Sequence, residues 1–299
     1  MSEQPLEDDS QLTAAEKRAK AYRLAGRIPV LPGPRLQRVP PVALPRATPQ
    51  PVVRTPKSIP RKESPMAPIW AYGVTTVPSR VDDLLPKTLA SLSAAGFDSP
   101  RLFVDGERDP ARYSHFDLEA TFHWPNLRTF GNWVTALWEL YLRNPAATRF
   151  ALFQDDFITY RNLRSYLERS PMPERSYLNL FTFPSNQILA PSKDYVGWYK
   201  SNQLGRGAVA LVFDRPGVLA LLQSKSFVEK PMDVHRGHKA VDGGIVEAMK
   251  HAGYTEYVHS PSLTYHTGLV SSMKNPRHPQ TTSFRGEQFD VMELLSVRG

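Results

Sequence analysis

Short apolar runs alternate along this chain with segments whose apolar residues recur at helical spacing. Apolar, β-branched runs at residues 69–77, 101–106 and 149–156 predict three buried strands. Helical spacing occurs between the strands, at 84–95 and at 132–143. This strand–helix–strand order is typical of parallel sheets joined by crossover helices. We therefore predict a single α/β, Rossmann-like domain with a mostly parallel central sheet.

The same rhythm continues through the second half of the chain. Strands are predicted at 176–183, 208–213 and 255–260, and helices at 216–223 and 241–252. We expect the domain to cover residues 67–280 and a C-terminal tail to cover residues 281–299.

Residues 1–66 do not follow this pattern. Eleven prolines lie between positions 27 and 65, and each removes a backbone donor and fixes φ. We predict a disordered, proline-rich arm, with a short amphipathic helix at 11–25 as its only regular element. The chain carries a net charge of +8, and the arm alone holds 12 Lys/Arg against 6 Asp/Glu. Such an arm either solubilises the protein or contacts an acidic partner, such as nucleic acid or a membrane surface.

Composition excludes several kinds of site. The chain has no cysteine, so disulfides, thiolate metal sites and cysteine nucleophiles are excluded.

No apolar run reaches the roughly 18 residues that a membrane span needs. The first 30 residues are charged and lack the apolar core of a signal peptide. We expect a protein without a membrane span, in the cytoplasm of a bacterial or phage-infected cell.

An acidic pair ends the strand predicted at 149–156. Gln154, Asp155 and Asp156 follow four apolar residues, and open α/β sheets bind ligands at the carboxyl ends of their strands. Adjacent carboxylates repel each other, so they are costly to bury unless a positive charge lies beside them. Mg²⁺ or Mn²⁺ would supply that charge, because both prefer oxygen ligands. The alternative interpretation is a solvated turn after the strand.

Three more residues have a candidate role beside an ordinary one. Arg80 follows the first strand, where an arginine can hold phosphate, although a single arginine is commonly just exposed. Asp242 opens a predicted helix before two glycines. It is either a helix cap or a proton acceptor, and we expect backbone donors there to lower its pKa. His266 is expected in a Gly- and Ser-rich loop and could complete a carboxylate metal site, or be an ordinary polar residue.

Taken together and in this order, the segments AYGVTTVPSR, QDD and HSPSLTYHTGLVSS resemble the GT-A glycosyltransferases over roughly residues 69–275. The last segment is similar to the P-S-L-x-x-H-x-G-x-x-S ending of the N-acetylglucosaminyltransferase IV-like group. It follows the acidic motif by about 110 residues. Gln154 departs from the Asp or Glu that is usual at the first position of the acidic motif.

This resemblance implies metal-dependent transfer of a sugar from a nucleotide-diphosphate donor, with UDP as the expected nucleotide, to an acceptor hydroxyl. Mn²⁺ or Mg²⁺ is the implied cofactor. The implied metal ligands are Asp156 and His266. The implied proton acceptor is Asp242, with Asp233 as a second choice. The implied nucleotide-sugar contacts are Thr75, Arg80, Asp105, Gln154 and Asp155.

Two alternatives stay open at this point. The acceptor could be a glycan, or it could be hydroxymethylated DNA held by the basic arm, in which case affinity would fall steeply with salt. A second alternative is a non-enzymatic scaffold whose proline-rich segments, such as PGPRLQRVPP at 32–41, dock on partner domains.

Overall fold

The computed structural model describes residues 67–232, 241–268 and 280–296. The predicted arm at 1–66, its helix at 11–25 and the candidate base Asp233 lie outside the described residues. None of the helices that are described has the length and apolar character to cross a bilayer.

In the part of the chain that the structure describes, eight strands form one central sheet and two short strands form a second. The strands are β1 (Trp70–Thr76), β2 (Arg101–Asp105), β3 (Ala120–His123), β4 (Arg149–Gln154), β5 (Phe157–Thr159), β6 (Ser176–Asn179), β7 (Gly197–Lys200), β8 (Ala210–Asp214), β9 (Thr255–Ser260) and β10 (Thr264–His266). The order in the large sheet is β3-β2-β1-β4-β8-β6-β9-β7, and β10 pairs with β5. Six of the eight strands run in one direction, while β7 and β8 run against them. The predicted α/β fold with a mostly parallel central sheet is confirmed.

Helices connect the strands and cover the sheet. They are α1 (Leu84–Ala94), α2 (Arg128–Arg143), α3 (Leu163–Arg169), α4 (Pro184–Gln187), α5 (Arg215–Gln223), α6 (Lys225–Glu229), α7 (Val241–His251) and α8 (Glu293–Ser296), with 3₁₀ turns at Pro78–Arg80, Pro110–Phe116 and Lys230–Met232. The helix predicted at 132–143 begins four residues earlier, at Arg128. Its buried residues include Phe130, Trp133, Leu137 and Leu140, a spacing of three and four that places them on one face.

The sheet is buried on both faces, which explains why consecutive residues in the middle of a central strand are apolar. Along β4, Phe150 and Leu152 belong to the apolar cluster on one face, while Ala151 and Phe153 belong to the cluster on the other. Successive side chains of a strand point to opposite faces, so this alternation is expected. Helix α1 packs in the cluster that contains Phe153, and helices α2, α5 and α7 pack in the cluster that contains Phe150.

Residues 280–296, most of the predicted tail, pack against the core. Val291 and Leu294 are fully buried in the same apolar cluster as Phe153. The Phe284 ring stacks on the Tyr160 ring with their centroids 4.6 Å apart. The side chain of Asn162 donates a hydrogen bond to the Asp290 carboxylate at 2.8 Å. These late residues therefore hold the segment that follows β5.

Candidate functional site

The carboxyl ends of β1, β2 and β4 meet at one edge of the sheet, because these strands are parallel neighbours. The β1–β4 register pairs Thr75 with Gln154, which places the next residues, Thr76 and Asp155, side by side. The Thr76 hydroxyl donates to Asp155 Oδ2 at 2.6 Å. The acidic motif thus lies where an open α/β sheet binds its ligands.

Both carboxylates of the acidic pair are buried. Asp155 and Asp156 are each 2% exposed, so the solvated turn considered above is excluded. Arg80 lies between them, at the end of the 3₁₀ turn after β1. Its Nη1 atom is 2.8 Å from Asp156 Oδ2 and also forms a short contact with Asp155 Oδ1. An arginine therefore supplies the positive charge that the pair requires, at the position where a metal ion was expected.

His266 reaches the same pair from the far end of the sequence. It is the last residue of β10, whose antiparallel pairing with β5 places His266 opposite Phe157, the residue after Asp156. His266 Nε2 lies 3.2 Å from Asp156 Oδ2. The backbone N–H of Thr267 donates to the Asp156 carbonyl at 2.8 Å. The structure thus brings the two implied metal ligands together, with His266 on a strand.

Gly268 leaves room for this arrangement. A Cβ atom at this position would lie 2.7 Å from Asp156 Oδ2 and 3.1 Å from His266 Cε1. Both distances are shorter than ordinary van der Waals contact. The glycine in the PSLTYHTG segment is therefore needed for the close approach of the chain to the acidic pair.

The two carboxyl groups differ in their affinity for a proton. Burial raises the pKa of Asp155 above its ordinary value, although Arg80 opposes that effect. Burial acts in the same direction on Asp156, but His266 and Arg80 outweigh it and lower the pKa of Asp156 below its ordinary value. Asp156 is therefore the member of the pair that gives up its proton more readily.

The site fits a divalent cation that takes part of its ligands from a substrate. Asp156 Oδ1 is buried and has no hydrogen-bond partner among the described residues, so it is available as a ligand. The described residues contain no cluster of three or more His, Asp or Glu side chains suited to a metal. Asp156 and His266 would be the protein ligands, and Mg²⁺ commonly completes so small a set with waters and phosphate oxygens.

Asp242 is the second residue of α7. Its Oδ2 atom accepts the backbone N–H groups of Gly207 at 2.6 Å and Ala208 at 3.2 Å. The Ala208 carbonyl in turn accepts the side-chain amide of Gln154 at 2.9 Å. The peptide units around Ala208 therefore link Asp242 to the acidic motif.

The structure corrects the expected pKa of Asp242. Burial raises this pKa above its ordinary value, and the N–H groups of Ala208 and Gly207 oppose the rise without cancelling it. Donors at the start of the helix, taken alone, predicted a lowered pKa for Asp242. The carboxylate instead binds the 207–208 backbone, and loss of solvent outweighs those hydrogen bonds.

The remaining candidate residues lie at the same edge of the sheet but have backbone partners. Gln154 donates to the Ala208 carbonyl, as described above, and its side chain thus supports the segment after residue 206. The Thr75 hydroxyl donates to the Phe153 carbonyl at 3.2 Å. Asp105 ends β2, and its carboxylate accepts the Leu127 N–H at 2.7 Å. Burial raises the pKa of Asp105 despite this hydrogen bond.

Sequence reasoning missed two contributors to the site. Thr76, and not Thr75, is the threonine that contacts the acidic pair. Period-two alternation in β1 could have separated the two, since only one of them points to the side of Asp155. Gly268 was visible as part of the PSLTYHTG segment, but no local signal showed that Asp156 lies against it.

No protein-family model and no curated protein sequence matches this chain. Among solved structures, it is similar to a mannose-1-phosphate geranyltransferase from Thermus thermophilus, with 13% identity, a TM-score of 0.39 and coverage of 63% of this chain and 73% of that one. It is similar to GalNAc-T7 with UDP, GalNAc and Mn²⁺, with 8% identity, a TM-score of 0.40 and coverage of 66% and 43%. It is also similar to a nucleoside-diphosphate-sugar pyrophosphorylase from Vibrio cholerae, with 10% identity, a TM-score of 0.40 and coverage of 67% and 95%. Similarity at this level does not carry the activities of those proteins over to this chain.

Proposed function

We propose that this chain is a glycosyltransferase that moves a sugar from a nucleoside-diphosphate donor, with a UDP-sugar as the expected donor, to an acceptor hydroxyl. The observation that carries the proposal is the buried Asp155–Asp156 pair at the carboxyl end of β4. Arg80 and His266 both contact it, and Asp156 Oδ1 has no hydrogen-bond partner within the described ranges. Carboxylate, imidazole and guanidinium groups at one sheet edge suit a diphosphate and its cation.

The leaving diphosphate is the most highly charged part of the reaction. Arg80 is the side chain proposed to bind it, because a guanidinium matches phosphate oxygens in charge and geometry. A Mn²⁺ or Mg²⁺ ion held by Asp156 and His266 would act as a Lewis acid that offsets the charge of the leaving group. The nucleoside is assigned to the adjoining ends of β1 and β2, beside Thr75 and Asp105.

Asp242 is proposed as the base for a direct, inverting displacement. Its carboxylate takes the proton of the acceptor hydroxyl while the acceptor oxygen bonds to the anomeric carbon. The bond from that carbon to the diphosphate oxygen breaks, and its electron pair leaves with the nucleoside diphosphate. A raised pKa supports this role, because a carboxylate whose pKa lies closer to neutral pH is a stronger proton acceptor.

The test is a panel of sugar nucleotides incubated with the protein, with and without Mn²⁺, and followed by release of nucleoside diphosphate. We expect Mn²⁺-dependent turnover of one donor in the wild type and its loss in Asp156→Ala. The matched control is Asp98→Asn, a change to an exposed carboxylate that bonds only to Ser93 among the described residues. Wild-type turnover in Asp156→Ala, or no turnover of any donor, would contradict the proposal.

A further inference from the structure

A single guanidinium contacts both members of the acidic pair. Arg80 Nη1 contacts Asp155 Oδ1 and Asp156 Oδ2. The Arg80 side chain is 14% exposed, and each carboxylate side chain is 3% exposed. Within the described part of the chain, no other Lys or Arg forms an ion pair with either carboxylate. Arg80 thus offsets part of the repulsion between two adjacent buried carboxylates.

A cation bound at this pair would compete with that guanidinium. Asp155 Oδ2 is already taken by the Thr76 hydroxyl, and Asp156 Oδ2 is shared between Arg80 and His266. Of these carboxylate oxygens, Asp156 Oδ1 alone has no partner among residues 67–232, 241–268 and 280–296. Two positive charges within a few ångströms of the same carboxylates repel each other strongly in a buried site. Metal binding at Asp156 therefore favours release of Arg80.

Arg80 also lies where a released side chain can meet a substrate. It ends the 3₁₀ turn after β1, at the carboxyl edge of the sheet. A long arginine side chain can reorient without moving the backbone. A guanidinium that has left a carboxylate pairs equally well with phosphate oxygens, because the geometry of the two acceptors is alike.

We propose that Arg80 is an internal counter-ion that pairs with Asp155 and Asp156, gives way when a divalent cation binds, and then pairs with the diphosphate of the donor. The last step rests on the function proposed above. Competition between Arg80 and the cation does not, because it depends only on the residues around the pair.

The first experiment measures the binding of MnCl₂ alone by titration calorimetry, with the wild type, Arg80→Met and Arg80→Lys. Met keeps much of the side-chain volume and removes the charge. We expect Arg80→Met to bind Mn²⁺ at least about tenfold more tightly, since a nearby positive charge is gone. Arg80→Lys keeps the charge without the fork and is expected to lie in between. Arg143→Met, which changes an exposed arginine on α2, should match the wild type.

The second experiment measures the binding of inorganic pyrophosphate in saturating MnCl₂. We expect Arg80→Met to bind pyrophosphate about tenfold more weakly than the wild type, because it lacks a charge-assisted hydrogen bond to phosphate. Arg80→Met should therefore bind Mn²⁺ more tightly and pyrophosphate more weakly than the wild type. A purely structural role for Arg80 would not give opposite effects.

Several results would overturn the proposal. One is a Mn²⁺ affinity of Arg80→Met that is equal to or weaker than that of the wild type, or the same result for Arg80→Lys if the Met variant does not fold. A second is pyrophosphate binding by Arg80→Met that equals that of the wild type. A third is Mn²⁺ binding by Asp156→Asn that equals that of the wild type. No sugar is transferred in either titration. If both behave as expected while no sugar nucleotide is consumed, the role of Arg80 stands and the proposed function fails.

Discussion

Asp242 has a structural role and a proposed role as the base, and two substitutions distinguish them. Its Oδ2 atom accepts the N–H groups of Gly207 and Ala208. Hydrogen bonds to a charged group contribute about 1.5–3 kcal/mol each, so losing both in Asp242→Ala should lower the free energy of unfolding by about 3–6 kcal/mol. For a domain of this size that corresponds to a melting temperature lower by roughly 6–24 °C. Asp242→Asn keeps an acceptor oxygen and should lose only about 1–2 kcal/mol.

For Asp242→Asn, the effect on sugar transfer should be large although the effect on stability is small. Asp242→Asn cannot accept the proton of the acceptor hydroxyl, so we expect turnover to fall by roughly 10² to 10⁴-fold in a protein that is still folded. In the wild type, turnover should fall as the pH falls through the pKa of Asp242. Because burial raises that pKa, the fall should begin at a higher pH than the ordinary value of 3.8 would give.

The assays are thermal denaturation and release of nucleoside diphosphate at saturating donor, and Asp214→Ala is the matched control. Asp214 caps α5 by accepting the Gly217 N–H at 2.8 Å. In the β4–β8 register it lies opposite Arg149, at the end of β4 that is far from the acidic pair. This control should lose stability and keep its turnover. Wild-type turnover in Asp242→Asn would refute the base and favour a retaining reaction. An unchanged melting temperature in Asp242→Ala would refute the structural role.

Three further substitutions test the rest of the site. Thr76→Val removes the hydroxyl that donates to Asp155 and should lower the free energy of unfolding, measured with denaturant, by about 1–3 kcal/mol. Thr76→Ser keeps a hydroxyl and should lower it less. Equal losses in the two variants would mean that this hydrogen bond does not stabilise the fold. Gly268→Ala should weaken Mn²⁺ binding in a calorimetric titration by about tenfold or more, because its Cβ would collide with Asp156. In the control Gly243→Ala, the new Cβ would contact none of the described atoms, so Mn²⁺ binding should not change. Equal Mn²⁺ affinities of the two variants would contradict the close approach of Gly268 to Asp156. Asp156→Asn should be less stable than the wild type near neutral pH, and this difference in the free energy of unfolding should disappear as the pH falls below the ordinary pKa of 3.8. The reason is that a carboxylate whose pKa is lowered by folding stabilises the fold only while it is ionised. A difference that does not change with pH would show that Asp156 does not titrate in this way.

The sequence predicted the long elements well, because periodicity is strongest where an element buries a whole face. The strand predicted at 149–156 and the helix predicted at 241–252 were found within a few residues of their observed bounds. The three-residue strands β5 and β10 were not predicted, since so few positions cannot show a period. Yet the pairing of β5 with β10 is what places His266 beside Asp156.

Adjacent residues of the candidate site can be seen in the sequence, but contacts between residues far apart in the chain cannot. The need for a positive charge at the acidic pair followed from the adjacency of Asp155 and Asp156 alone. That Arg80 supplies this charge depends on the parallel pairing of β1 with β4, a contact between residues 75 positions apart. The pKa of Asp242 was misjudged for the same reason, because its donors come from the 207–208 segment and not from its own helix.

The packing of residues 280–296 has a consequence for the order of folding. The Asn162–Asp290 hydrogen bond joins residues 128 positions apart, and the Arg285 N–H reaches the Tyr160 hydroxyl across 125 positions. Contacts of such high sequence separation form late, because the entropy of closing the loop is lost before the contacts repay it. We therefore expect this segment to dock after the sheet has assembled. Weakening it should speed unfolding far more than it slows folding, so these late residues govern the lifetime of the native state.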